Sequence, residues 1–248
     1  MILQYRSVGS EQKVDVEAMF DHIAPRYDFL NHFLSLGIDR IWRRKTIRYL
    51  KPFSPETILD LATGTADLAI AASRLNPKKI RGIDLSEKML ALGREKIERK
   101  KLGGLIELSK GDSGNIPFPD QTYNAVMVAF GVRNFENPQE GIDEMFRVLK
   151  PEGNILVLEF SNPEKFPVKQ LYNFYFFKIL PALGRLFSKD HSAYSYLPKS
   201  VKKFPYGEAF LQLLENAGFS CLVAKSLSFG IAHIYFGKKE VHNNTGKD

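Results

Sequence analysis

Seven strand-like segments with helices between most of them predict an α/β protein built on a Rossmann-like, mostly parallel sheet. Three observations carry this. Strand and helix patterns alternate from residue 57 to residue 160, which implies parallel pairing. Ile58–Asp67, ILDLATGTAD, reads as a strand, a tight turn and the start of a helix: Ile58, Leu59 and Leu61 are strand-type apolar residues, and Leu68, Ile70, Ala71 and Leu75 form a helical stripe. Asp84 closes the next strand, twenty residues beyond Gly64.

In chain order, residues 14–50 predict amino-terminal helices, followed by strands near 57–61, 79–83, 105–109, 123–130 and 153–160. A helical insertion over 165–205 comes next, then a helix at 207–217. Runs at 219–227 and 231–237, joined around Phe229-Gly230, close as a hairpin and supply one antiparallel strand. A chain of 248 residues with 44% hydrophobic composition suits one domain, with 1–13 and 239–248 expected to be flexible.

The ATGTAD turn lies at the carboxyl end of a strand, where open α/β sheets bind small ligands. A dinucleotide turn wants G-x-G-x-x-G, but those positions hold Ala62, Gly64 and Asp67. Asp67, on the first turn of the helix, would compete with a bound phosphate for the positive end of the helix dipole. A cofactor without phosphate fits better, and S-adenosylmethionine is one. Asp60 and Asp67 would face its ammonium, while the amides of Thr63–Ala66 turn toward its carboxylate. Asp84 is placed for the ribose hydroxyls. Asp112 and Ser113, after the third strand, are placed for the adenine. The fourth strand, YNAVMVAF, opens into Gly131-Val132-Arg133-Asn134. Four strand ends thus bring Thr65, Asp84, Asp112 and Arg133 to one sheet edge, with Gly64 at its turn.

With these motifs the chain resembles the class I S-adenosylmethionine-dependent methyltransferases and, more narrowly, the menaquinone/ubiquinone biosynthesis C-methyltransferases. The narrow likeness rests on Tyr27-Asp28-Phe29-Leu30-Asn31 with Ser35 and Trp42, on Arg147–Gly153 continuing to Glu159-Phe160-Ser161, on Phe130-Gly131-Val132-Arg133-Asn134, and on Tyr194-Ser195-Tyr196-Leu197 with Ser200. It covers roughly residues 14–238. Asp39 stands where the family usually has histidine, and Glu152 where it has glycine. Ala62 and Ala66 replace glycines of the generic turn, so a slightly stiffer turn is expected.

The resemblance implies the seven-stranded methyltransferase sheet and methyl transfer to a ring carbon of a prenylated quinol, most specifically demethylmenaquinol in menaquinone biosynthesis. A benzoquinol precursor of ubiquinone is the alternative. It implies Tyr27, Asn31 and Tyr194 as pocket groups. Arg133 either stabilises the quinol oxyanion or orients a water, or else forms a salt bridge with a surface carboxylate. The crowded aromatics of 168–187 either pack as a buried helix or roof an apolar substrate tunnel.

Other classes fare worse. A nicotinamide oxidoreductase is disfavoured by Ala62 and Asp67, and a nucleic-acid methyltransferase by FGVRN where Asn/Asp-Pro-Pro-aromatic would stand. A non-catalytic cofactor-binding subunit stays open. No Cys/His cluster has metal-ligand spacing, so no metal is expected. Cys221, the single cysteine, sits in a strand-like run and is expected to be a small core residue. No signal peptide or membrane span is legible, which points to the cytoplasm. A net charge of +7, with Arg40, Arg44, Arg48 and Lys51 gathered opposite Ile38, Ile41, Trp42 and Tyr49, suits either a solvated face or contact with anionic lipid at the inner face of the membrane.

Overall fold

The computed structural model describes residues 16–24, 35, 37–179 and 192–240, except for the side chains of Phe177 and residues 192–195. Tyr27, Asn31, the amino-terminal tail and residues 241–248 lie outside the described set, as does the side chain of Tyr194.

The seven strands are β1 (Thr57–Leu61), β2 (Lys79–Asp84), β3 (Ile106–Lys110), β4 (Tyr123–Ala129), β5 (Leu149–Phe160), β6 (Ser220–Leu227) and β7 (Ala232–Lys238). They form one sheet in the order β3-β2-β1-β4-β5-β7-β6. All pairs are parallel except those of β7, which runs antiparallel to both β5 and β6. The helices are α1 (16–24), α2 (Ile38–Ile47), α3 (Asp67–Ala72), α4 (Glu87–Arg99), α5 (Pro138–Val148), α6 (Val168–Phe174), α7 (Ser192–Lys203) and α8 (Glu208–Asn216).

The central strands are apolar on both faces because helices cover both sides. Successive residues of β1 show this: Ile58 joins a core with Trp42, Leu90 and Leu156, and Leu59 joins another with Val126, Val157 and Phe210. Helix starts follow local chemistry. The Ser86 hydroxyl accepts from the Met89 amide at 3.1 Å to open α4. Asn137 caps α5 ahead of Pro138, whose missing N–H costs nothing in the first turn.

Four details depart from the sequence expectations. The fifth strand starts at Leu149, ahead of residue 153, and its pairing with β4 shifts register between Tyr123 and Ala125 where Glu152 takes a φ of 65°. Cys221 is an exposed free thiol, because β6 is the edge strand and Cys221 falls with Val223 and Lys225 on its exposed side; it adopts a φ of 50° where β6 is irregular between Ser220 and Val223. The apolar side of α2 is not its buried side: Ile38 and Ile41 are exposed. Asp39, Arg43 and Thr46 are buried with Trp42 and Ile47, since Asp39 pairs with Arg43 and accepts from the Ser35 hydroxyl at 2.7 Å. Finally, Ala62 and Ala66 both adopt the left-handed conformation that alanine tolerates poorly, with φ of 49° and 65°.

Candidate active site

After β1 the chain proceeds outward to β2 and β3, then returns to place β4 on the other side of β1, so a crevice opens where the carboxyl ends of β1 and β4 diverge. A cleft of about 660 Å³, open in part to solvent, lies there. Gly64 and Ala62 form one wall, Asp84, Ser86 and Gly111 the next, and Phe130, Gly131 and Asn134 the third. Phe20 and Glu17 of α1 close it from above. Asp21 fixes that helix by accepting from the Ser86 hydroxyl at 2.5 Å, and Glu17 pairs with Lys110 at 2.6 Å.

Asp84 is held by backbone alone: one carboxylate oxygen accepts from the Gly64 amide at 2.8 Å, the other from the Ser86 amide at 2.9 Å. Burial raises its pKa and these bonds oppose the rise. Each oxygen keeps a lone pair for a ligand hydroxyl. Ser113 lines the cleft, and Asp112 lines a smaller adjoining pocket with Val16, Leu85 and Glu136. Asp112 also braces its own turn by accepting from the Gly114 amide at 3.1 Å. A side chain at Gly131 would meet the Ala62 methyl at 2.6 Å, so only glycine keeps this wall clear.

Other positions are arranged differently from the sequence expectation. The Thr63 amide donates to the Ile83 carbonyl, the Gly64 amide to Asp84 and the Ala66 amide to the Thr63 carbonyl. The turn therefore spends these three donors on its own geometry and offers them to no ligand carboxylate. Thr65 is buried facing Lys96, whose ammonium donates to its hydroxyl at 3.0 Å, and the same ammonium pairs with Asp67. Asp60 accepts from the Thr63 hydroxyl at 2.6 Å and the Ala69 amide at 3.0 Å. Its burial raises the pKa to about 7, and its second oxygen has no partner among the described residues.

Beyond the cleft, the ends of β4, β5 and β7 gather a second set of groups. Arg133 pairs with Glu159 at 2.7 Å; the two side chains are 6% and 0% exposed, so this is a buried ion pair and not a surface one. Arg133 also donates to the Phe130 carbonyl and lies 5.4 Å from the Phe160 ring centre. Its Nε, the Ser161 hydroxyl, the Tyr172 hydroxyl and His233 Nδ1 are buried with no hydrogen-bond partner among the described residues. His233 faces Glu159 across the β5–β7 register, and burial lowers its pKa. Tyr196 donates to Asn134 at 3.0 Å. The aromatic insertion seats Tyr172 and Phe176 on Phe160 and Val201, and Phe160 stacks obliquely on Phe130, whose ring reaches the cleft. Leu171 and Phe174 of the same segment are exposed.

Sequence reasoning gave no site role to Glu159, Ser161, Tyr172 or His233, although Glu159 and Ser161 stand in a family-like segment. Glu159 had a signal: it is the single carboxylate in ILVLEF, an otherwise apolar strand end that has no surface to place it on. Among the described residues no group of three or more His, Cys, Asp or Glu side chains is arranged to hold a metal.

Comparison with known proteins gives the site its context. Residues 6–239 match the ubiE/COQ5 methyltransferase family. A demethylmenaquinone methyltransferase of Bacteroides fragilis is 47% identical over 96% of this chain and 97% of its own length. The ubiquinone/menaquinone biosynthesis C-methyltransferase UbiE of Geobacter sulfurreducens is 44% identical over 96% and 93%. Among solved structures, the cyclase SpnF is similar with a TM-score of 0.68 at 17% identity, covering 91% of this chain and 95% of its own. An S-adenosylmethionine-dependent methyltransferase of Aquifex aeolicus gives 0.53 at 20%, covering 74% and 82%. At such identities the structural likeness speaks to the fold alone.

Proposed function

The chain belongs to the ubiE/COQ5 methyltransferase family, and from that premise we propose that its cleft takes S-adenosylmethionine while the aromatic lip beyond it receives a prenylated quinol, specifically demethylmenaquinol. It is an S-adenosylmethionine-dependent C-methyltransferase of quinone biosynthesis. The naphthoquinol is favoured over a benzoquinol by the likeness to the Bacteroides fragilis protein.

The residues present fit the cofactor. Asp84 would accept from the ribose hydroxyls, Gly64 lets the chain approach, and Ser113 with Asp112 would meet the adenine. Asp60 lines a small pocket with Gly64, Ala129, Arg43, Thr65 and Asp67 and would answer an ammonium there, since Asp67 is engaged by Lys96. When bound, S-adenosylmethionine supplies a methyl group made electrophilic by its sulfonium. The chain's own task is to turn a ring carbon into a nucleophile and hold it in line.

The observation that carries the quinol reading is the buried Arg133–Glu159 pair beneath aromatic rings. Glu159 neutralises and orients the guanidinium, and the unpartnered Nε–H of Arg133 supports a role in holding a developing phenolate oxygen. His233, kept neutral by burial, supports a role in taking the hydroxyl proton. The exposed Phe166, Leu171 and Phe174, beside Lys165 and Lys169, support peripheral contact with a lipid surface from which the prenyl tail is drawn. No helix among the described residues is long and apolar enough to cross a membrane.

The test is turnover by the purified protein alone, with labelled cofactor and either demethylmenaquinol or a benzoquinol, across pH 5–9. Methyl transfer to the naphthoquinol is expected, with an acidic limb that His233→Gln removes. Cofactor binding without transfer to either quinol would instead mark a non-catalytic subunit. Flotation on vesicles should weaken in Leu171→Ser/Phe174→Ser; unchanged flotation would remove the membrane contact.

A further inference from the structure

A second, larger depression lies behind the cofactor turn, between α2, α3 and α4, enclosing about 1,370 Å³ of space open to solvent. It shares no lining residue with the cofactor cleft, and only Arg43 and Asp67 with the small pocket beside Asp60. Seven cationic side chains line it against a single carboxylate, Asp67, which Lys96 already engages. Among the described residues, no carboxylate lies within ion-pair distance of Arg40, Arg44, Arg74, Arg99 or Lys100. All five are exposed, so the arrangement is not a by-product of burying charge.

Such crowding is unfavourable by itself, because like charges repel and each lysine or arginine gains by finding a counter-charge. Solvated basic faces are common, but they are convex and interspersed with acids; here α2, the turn that follows α3 and the last turns of α4 bring their cations into one concavity. The floor is small and apolar, Ile70 and Ala71, which leaves the guanidinium forks free to meet a ligand from the sides. The concavity favours a compact ligand over an extended duplex, which would need a stripe of charge across an open face.

We propose that this groove binds a phosphate-bearing polyanion, with Arg40 and Arg44 on one wall and Arg74, Arg99 and Lys100 on the other. A soluble oligophosphate and the clustered headgroups of anionic phospholipid share this chemistry. The site is independent of the quinol reading, since it uses none of the residues placed in the cleft or at the aromatic lip.

The probes are inorganic tripolyphosphate, phosphatidylglycerol vesicles with phosphatidylcholine vesicles as control, and a short single-stranded RNA, titrated into the full-length protein at low salt. Tripolyphosphate is expected to bind, with affinity falling as salt rises. Arg74→Ala/Arg99→Ala/Lys100→Ala should weaken it about tenfold or more, the worth of at least one charge-assisted hydrogen bond. Methyl-transfer turnover and circular dichroism should match wild type. Phosphatidylglycerol binding lost in the triple variant, without tripolyphosphate binding, assigns the phosphate to lipid and supports the site. Equal binding by wild type and variant overturns the proposal, as does absence of binding to every probe. RNA binding more than tenfold tighter than tripolyphosphate, and lost in the variant, would overturn the compact-ligand assignment in favour of nucleic acid.

Discussion

The two halves of the sheet edge are built on opposite principles. On the cofactor half, at the ends of β1, β2 and β3, most buried polar groups are satisfied inside the protein, much of it by backbone; among the described residues only Asp60, with one oxygen, and Arg43 of the same small pocket, with its Nε, keep a buried unpartnered atom. On the other half, at the ends of β4, β5 and β7 and on α6 above them, four polar atoms are buried with no partner among the described residues, on Arg133, Ser161, Tyr172 and His233. Leaving a buried donor or acceptor unmade costs roughly 1–3 kcal/mol. The first half is therefore preformed for one ligand, while the second carries unspent hydrogen-bonding capacity that a polar, flat substrate under an aromatic cover would use.

The sharpest way to break this contrast is Arg133→Ala. If the guanidinium stabilises charge on the quinol, turnover should fall about 100- to 1,000-fold, the cost of losing one preorganised donor. Cofactor affinity should stay within about twofold, and Arg133→Lys should lie between, because the ammonium keeps the charge and loses the fork. Single-turnover transfer at saturating ligands decides it; wild-type rates in a folded alanine variant would reduce the pair with Glu159 to structure.

Asp84→Ala probes the other half. Removing charge-assisted bonds of roughly 1.5–3 kcal/mol each should weaken cofactor binding tenfold or more, with little change in turnover at saturating cofactor. Affinity within twofold of wild type would dismiss its role.

A smaller effect tests the exception in the preformed half. With its folded-state pKa raised to about 7, Asp60 holds a proton that the unfolded chain has already released above about pH 4. Folding stability should thus fall as pH rises from about 4 to 7, by at most about 1.4 kcal/mol per pH unit from this group. Asp60→Asn should flatten that part of the profile in urea unfolding at pH 5 and 7.5; identical slopes would refute the assignment.

The smallest effects concern backbone. An L-residue in the left-handed region costs about 1–2 kcal/mol. Glu152→Gly relieves this at an exposed position, at the loss of a solvent-exposed pair with Lys238, and should gain about 0.5 kcal/mol. Ala66→Gly relieves the same strain but removes a buried methyl worth about 0.8 kcal/mol, so stability should stay within about 0.5 kcal/mol. A large change at Ala66 in urea unfolding would mean that the turn stores strain which burial does not offset.

The central strands were legible because both-face burial leaves apolar runs such as ILDL and YNAVMVA, the edge strands β3 and β6 because their residues alternate, and Asp84 because spacing along the chain mirrors spacing across two strand ends. What escaped was contact between elements. Arg133 and Glu159 are 26 residues apart, and Lys96 and Asp67 are 29 apart. Neither pairing leaves a periodic trace, so the partner of Arg133 and the engagement of Asp67 and Thr65 by Lys96 needed the fold. Cys221 was misplaced for a related reason: β6 is the edge strand, and Cys221 falls with Val223 and Lys225 on its exposed side.

The close approach of Ala62 and Gly131 has its own consequence. The turn after β1 and the loop after β4 come near enough that a methyl on both would leave their carbons 2.6 Å apart, so the two positions share room for one. This chain spends it on residue 62. A descendant is then not free to change residue 131 alone, but becomes so once residue 62 reverts to glycine, with Val128 yielding a few tenths of an ångström from its 3.0 Å contact. The order in which the two substitutions can be accepted is set by a single carbon atom.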